Sequence, residues 1–302
     1  MNVVARHRNL AMLIGLALIW GSSFLFIKVA VRELAPATLI VGRLGLAAIT
    51  LGLLVPFVVG TGETVRQLRA NWVWLVVVAL VNTAIPFWLL SWGETRIDSG
   101  LASIIQAAVP IFNALIAFVA FREVRVTGSR LLGVAVGFVG VALLVGAQPE
   151  GKILGALAVV GMAFCYGVGG LLSGRYLHAA RPLVVSFAST AIATLVWLPV
   201  GVAEAPSQLP SWKTIGCVVA LGVPGTALAY LLFFGLITGA GAAYASLVTY
   251  LIPPIALAYG AIFLGERFGA AAFGGLALIL AGVALGTGAV GFTRLRRAAS
   301  SG

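Results

Sequence analysis

The chain has 302 residues, of which 61% are hydrophobic and only 9% charged, and its formal net charge is +11. A composition this apolar excludes a soluble globular domain and makes lipid the solvent. In a soluble protein the positive excess would point to nucleic acid. Here the charges sit in short loops and tails between apolar runs, so they report topology and no nucleic-acid partner is expected.

Ten apolar stretches follow one another, at about 10–31, 37–59, 72–92, 99–121, 127–147, 153–174, 183–203, 213–236, 242–264 and 270–291. Each is close to the roughly 20 residues that a helix needs to cross the hydrocarbon core. Barrel strands would be about half as long and would alternate apolar with polar residues, which these do not.

Arg6 and Arg8 precede the first stretch, as in a signal peptide, but the apolar run continues past Val29 without a clear cleavage site, so it reads as an uncleaved span. Trp20 falls at its mid-depth. Pro36 opens the second stretch, which carries Arg43, the one charge more than a turn inside a span. Arg43 either snorkels to the outer headgroups or pairs with an outer acid such as Glu94, Asp98 or Glu266 and so holds a gate. The third stretch places Asn82 and Thr83 near the midplane, and the fourth carries Ser103, Gln106, Pro110 and Asn113 at helical spacing on one face. The fifth presents Gly133, Gly137 and Gly140, a small-residue face suited to close helix packing.

The sixth stretch contains Cys165 and the pair Tyr166-Gly167; Pro182 opens the seventh; the eighth holds Cys217, Thr226 and Tyr230. Both cysteines lie in apolar spans and read as free packing residues, not as a disulfide. The ninth stretch repeats the face of the fourth, with Ser246, Thr249, Pro253 and Ala256, and the tenth repeats the glycines of the fifth with Gly282 and Gly286. The basic segment 294–302 follows as a tail.

Laid over one another at one fixed offset, Thr83 meets Thr226, Ser103 meets Ser246, Pro110 meets Pro253 and Glu123 meets Glu266. Gly140 meets Gly282 after a one-residue deletion, and Trp20-Gly21 answers Tyr166-Gly167. Each unit holds five crossings, an odd number, so the second must enter the membrane from the opposite side. The expected fold is an all-α integral membrane protein of ten transmembrane helices in two inverted five-helix repeats, 1–148 and 149–293. Basic residues are more numerous on the side of the N-terminus, which places both termini in the cytoplasm and the protein in the inner membrane.

The stretches "WGSSFLFIK", "ASIIQAAVPIFNALIAFVAFRE" and "ASLVTYLIPPIALAYGAIFLGE", with Pro36 and Arg43, resemble the EamA-type transporters of the drug/metabolite transporter superfamily. The first half departs in having Arg122-Glu123 where the second has Gly265-Glu266. The resemblance implies ten helices around a central cavity and export of small metabolites, with an amino-acid exporter branch in the family.

A polar stripe in lipid must face neighbouring helices or a water-filled cavity. Trp20, Asn82, Thr83, Gln106, Tyr166, Thr226, Tyr230, Ser246 and Thr249 are the candidate substrate contacts; plain interhelical packing is the alternative for each. Pro110 and Pro253 are candidate hinges or static kinks. Trp72, Trp74, Trp92, Trp197 and Trp212, near span ends, read as interface anchors. Glu266 is expected to stabilise the N-terminus of the helix that follows it.

No acid lies at mid-span, which favours a neutral or zwitterionic substrate, aromatic amino acids included, over an organic cation exchanged for protons. There is no metal motif, no base beside a serine and no cofactor signature, so an enzyme is a distant rival and a passive channel the nearer one. The partners expected are a small-molecule substrate and the bilayer. A monomer is expected over a dimer, because both repeats use their glycine faces internally.

Overall fold

The computed structural model describes residues 3–121 and 128–286, so Glu123 lies outside the described residues. Its described elements are all helical. They run α1 (Val3–Ala30), α2 (Pro36–Val58), α3 (Thr61–Ala70), α4 (Trp72–Ala79), α5 (Ile85–Glu94), α6 (Ser99–Gln106), α7 (Val109–Phe121) and α8 (Gly128–Gly146). After these come α9 (Glu150–Tyr176), α10 (Pro182–Ala203), α11 (Trp212–Gly222), α12 (Ala229–Ala240), α13 (Ala242–Ala245), α14 (Val248–Leu264) and α15 (Ala270–Gly286).

Seven helical stretches are long and apolar enough to cross a membrane, and three apolar helices, Leu131–Gly146, Val248–Leu264 and Ala270–Leu285, are shorter. The ten expected spans are therefore not equal in length. Large apolar side chains such as Ile49, Leu53, Phe57, Leu195 and Phe263 face outward, which only a lipid surround makes tolerable. This is a multi-pass membrane protein.

Two spans are not plain α-helices. Leu80–Ala84 joins α4 to α5 as a π-helical segment, and Val223–Leu228 joins α11 to α12 in the same way. Each leads into or contains a proline, Pro86 and Pro224, which has no N–H to give, and a π turn is one way to re-register the helix around that gap. The Thr226 hydroxyl donates to the Leu221 carbonyl at 2.9 Å, five residues back, and so satisfies an acceptor that the wide turn sets free.

Two further spans are broken. Between α6 and α7 the backbone tightens to three-residue hydrogen bonds, with Ala107 N–H donating to Ile104 and Ala108 N–H to Ile105. The same tightening separates α13 from α14, with Leu247 N–H donating to Tyr244 and Thr249 N–H to Ser246. Pro110 thus sits in the first turn of α7, where its missing N–H has no helical acceptor to lose. Pro110, a candidate hinge or static kink in the sequence, thus begins a helix and does not interrupt one. Pro253 does lie inside its helix, α14, next to Pro254.

The helices pair as α2 with α10, α8 with α15, α1 with α14, and α9 with both α5 and α7. The glycine faces explain the closeness of one pair: a Cβ on Gly282 would lie 2.6 Å from the Gly133 carbonyl oxygen, and one on Gly140 would lie 3.0 Å from the Gly275 carbonyl oxygen. Those glycines are used inside the chain, with α8 and α15 in backbone contact.

Candidate functional site

Both π segments and both breaks meet at the middle of the bundle, around a chamber of roughly 240 Å3. Among the expected contacts, Trp20 of α1, Asn82 and Thr226 of the two π segments, Gln106 of α6, Tyr166 of α9 and Tyr230 of α12 line it. Thr249 of α14 and Arg43 of α2 complete its polar wall. A second cavity of about 400 Å3 shares Trp20, Asn82 and Tyr230 with the chamber and adds Thr83. A third, of about 360 Å3, shares Gln106, Tyr166 and Thr249 and adds Ser246 and Pro110. Together they reach the size of ordinary small-molecule sites. Pro253 is buried in α14 and lines none of these three.

The chamber is prepared for polar solutes by what its side chains leave unused. Trp20, Asn82, Gln106, Tyr166 and Tyr230 make no hydrogen bond to other described residues, and their polar groups line the cavities. The hydroxyls are otherwise engaged: Thr226 donates to Leu221, and Thr249 donates to the Ser246 carbonyl at 2.7 Å. Trp20 packs against Phe233 with ring centroids 5.4 Å apart, and Tyr166 stands edge-on to Phe87 at 6.5 Å, so packing fixes both rings.

Arg43 does not snorkel. It is 7% exposed, its Nε donates to Thr226 Oγ1 at 3.4 Å, and its guanidinium lies over the Phe87 ring, 4.4 Å from the centroid. Nor does it form the expected ion pair: no described carboxylate comes within 4.0 Å of it. Asp98 is 4.0 Å from Lys152 instead, and Glu266 caps another helix.

Glu266 is a second correction. Its carboxylate accepts from Ser99 N–H at 2.8 Å, from Ser99 Oγ at 3.1 Å and from Gly100 N–H at 3.1 Å. It stabilises the N-terminus of α6, far back in the chain, and not that of α15, which follows it. Trp197 is a third: its indole N–H donates to the Ala84 carbonyl at 2.9 Å and its ring stacks on Trp88, so it secures the first π segment.

Sequence reasoning missed Phe24, Phe87, Leu90 and Ile252 as chamber walls. It placed Glu94 at a helix end, where α5 does finish, but not its burial: the residue is 0% exposed and neither carboxyl oxygen meets a hydrogen-bond partner. The signal was present: Phe87, Leu90, Ser91 and Glu94 recur at helical spacing on the buried face of α5. Beside it, Lys28 Nζ donates to the Glu94 carbonyl at 2.6 Å and the Ile97 carbonyl at 2.7 Å, covering the C-terminal end of α5.

A transport family accounts for this plan. The description "EamA-like transporter family" matches the chain twice, over residues 8–146 and 153–287. The chain belongs to the EamA-like transporter family. It is 27% identical over 281 residues to a protein of Streptantibioticus cattleyicolor named a probable terminal-alkyne amino-acid exporter, across 88% of this chain and 89% of that one. It is 26% identical over 284 residues to an Escherichia coli protein named a probable amino-acid metabolite efflux pump, covering 88% of this chain and 90% of that one. A crystal structure superposes with a TM-score of 0.64 over 95% of this chain and 98% of that one, at 17% identity, a likeness of fold. The family and these relatives support a membrane exporter of small metabolites and point away from an enzyme.

Proposed function

We propose that this EamA transporter exports neutral amino acids, aromatic ones included, across the inner membrane by alternating access around the central chamber. The observation that carries the reading is the chamber itself: aromatic rings, amides and hydroxyls converge on it from helices of both halves, with no carboxylate among its lining residues. The names of the two relatives above agree with an amino-acid cargo. Trp20, Asn82, Thr83, Gln106, Tyr166, Thr226, Tyr230, Ser246 and Thr249 are the proposed substrate contacts along the chamber and its two extensions.

The ten-span plan of two inverted five-helix repeats, 1–148 and 149–293, belongs to the same proposal. Its support is internal correspondence. Leu80 and Val223 open the two π segments, and Ser99 and Ala242 open the two broken spans, each pair at the offset that relates Ser103 to Ser246. Helix pairing agrees, since α1 packs on α14 as α9 packs on α7. The twofold match of the family adds to this. Such a pseudo-symmetric pair of interrupted spans at a central site is how alternating access is built in other transporter folds.

Counterflow in proteoliposomes tests the function: vesicles preloaded with an unlabelled amino acid should accumulate the labelled one, saturably. Linear, unsaturable flux would favour a passive channel. For orientation, a cytoplasm-active reporter fused after Gly302 should be active and one inserted near Pro149 silent.

A further inference from the structure

Arg43 presents to the chamber a cation with no carboxylate in direct contact among the described residues. Its guanidinium carries five N–H donors. One reaches Thr226 Oγ1, at a long 3.4 Å, and the Phe87 ring covers one face of the plane. No other described side chain accepts from it, and the surrounding polar wall consists of uncharged amides, phenols and hydroxyls. Glu94, one turn beyond Leu90 on α5, acts on Arg43 through space but lies more than 4.0 Å from the guanidinium and outside the chamber lining, so it fills none of the N–H donors.

A charge withdrawn from water is costly unless it is matched by an opposite charge and its donors are filled. Neither a ring face nor a single hydroxyl is such a match; hydrating water in the chamber is a partial one. What the planar fork matches best is a carboxylate, taken through two parallel N–H···O bonds. The position is also right for a solute: Arg43 comes from α2 and Thr226 from the second π segment, so a carboxylate bound here touches two elements at the centre of the bundle, with Trp20, Phe87 and Tyr166 around it.

We propose that Arg43 is the carboxylate receptor of the chamber, and that the transported solute is a small carboxylate or zwitterion whose acid group rests on Arg43 beside Thr226 while its apolar body faces the aromatic walls. This rests on the transport function proposed above and narrows its substrate class. Recognition runs through the acid group, so an amino acid is accepted for its carboxylate, and its ammonium is met only by neutral oxygens and ring faces. Amines and amides of the same body are excluded.

The test is counterflow of labelled phenylalanine by the full chain, with unlabelled 3-phenylpropanoate, phenylalaninamide and phenethylamine as competitors. The acid is expected to compete, and the amide and amine to compete on the order of tenfold more weakly or not at all, the size of a lost charge-assisted contact. Arg43→Gln should weaken competition by the acid by a similar factor, and Arg43→Lys should retain part of it. If Arg43→Gln does not fold, the competitor series on the parent still decides. An amide that competes as well as its acid overturns the assignment and leaves transport standing. A full metabolite panel with no exchange in any vesicle overturns the transport function, and this assignment with it.

Discussion

The Glu266 carboxylate holds the Ser99 backbone N–H at 2.8 Å and the Ser99 hydroxyl at 3.1 Å, so a residue at the end of α14 caps the start of α6. The local sequence prepares this. Gly265, at a φ of 67°, takes the left-handed turn that ends α14, and the Glu266 N–H donates back to the Gly260 carbonyl at 3.1 Å. Gly260 has no Cβ, which leaves room for the carboxylate. Asp98, at the N-cap of α6, makes no side-chain cap bond of its own, so the cap is supplied from the other half of the chain.

Glu266→Ala should therefore destabilise the protein by about 1–2 kcal/mol, the loss of a helix cap strengthened by charge. Glu266→Gln keeps one acceptor oxygen and should lose less. Thermal unfolding in detergent reads both. An unchanged midpoint in Glu266→Ala would mean that the cap is ornamental.

The α8 and α15 pairing makes a second test. Gly282→Val puts a side chain against the Gly133 carbonyl and the Gly137 backbone, and overpacking of this kind costs about 1–3 kcal/mol. Gly151→Ala in α9, where nothing lies within 4 Å, is the matched control and should be neutral or slightly stabilising. Equal stability of the two variants would contradict the close contact.

At the chamber, Asn82→Ala and Gln106→Ala should fold normally, because their polar groups bind no other described residue, and Trp20→Ala should lose some stability with its packing on Phe233, yet each should impair export. A hydrogen bond to substrate is worth about 1 kcal/mol, so the half-saturation concentration should rise several-fold for the two amides. Trp212→Ala, at an 87% exposed residue, should transport like the parent. Parental kinetics in all three chamber variants would place recognition elsewhere.

How much of this was legible beforehand depends on range. Helical spacing singled out Ser103 and Gln106 on α6, and both line a cavity, whereas Pro253, one turn beyond the chamber-lining Thr249, lines none of the three. The offset between Ser103 and Ser246 likewise carried over to the π segments, which no local pattern announced. What could not be read is which distant groups meet. Glu266 finds Ser99 and Trp197 finds Ala84 through tertiary packing, and Arg43 turns inward because Thr226 and Phe87 receive it. Glu94 does end α5, and what the sequence reading left out is its burial, which its place on the buried stripe of that helix decides.

The prolines separate architecture from motion. Both were candidates for a hinge or a static kink, but only Pro253 of the two occupies a helix interior, where its missing N–H leaves the Thr249 carbonyl without its helical donor. Thr249 lines the chamber, and a gap in the helical bonds is tolerated in lipid where it borders a cavity. Pro110 costs no bond, because the chain has already tightened at Ala107 and Ala108 before α7 begins. If bending at these spans drives the two gates, Pro253→Ala should add a backbone bond, stabilise the fold or leave it unchanged, and slow transport. Pro110→Ala should change either property much less. Cysteines placed by Ser103→Cys and Ser246→Cys, in a background without Cys165 and Cys217, report the state of the two spans through a membrane-impermeant thiol reagent. Pro253→Ala should shift the reactivity of the residue 246 thiol, while Pro110→Ala leaves that of residue 103 near the parental value. Slowing of transport by Pro110→Ala as severe as that by Pro253→Ala would tie the motion to the proline ring itself and not to the backbone bond it removes.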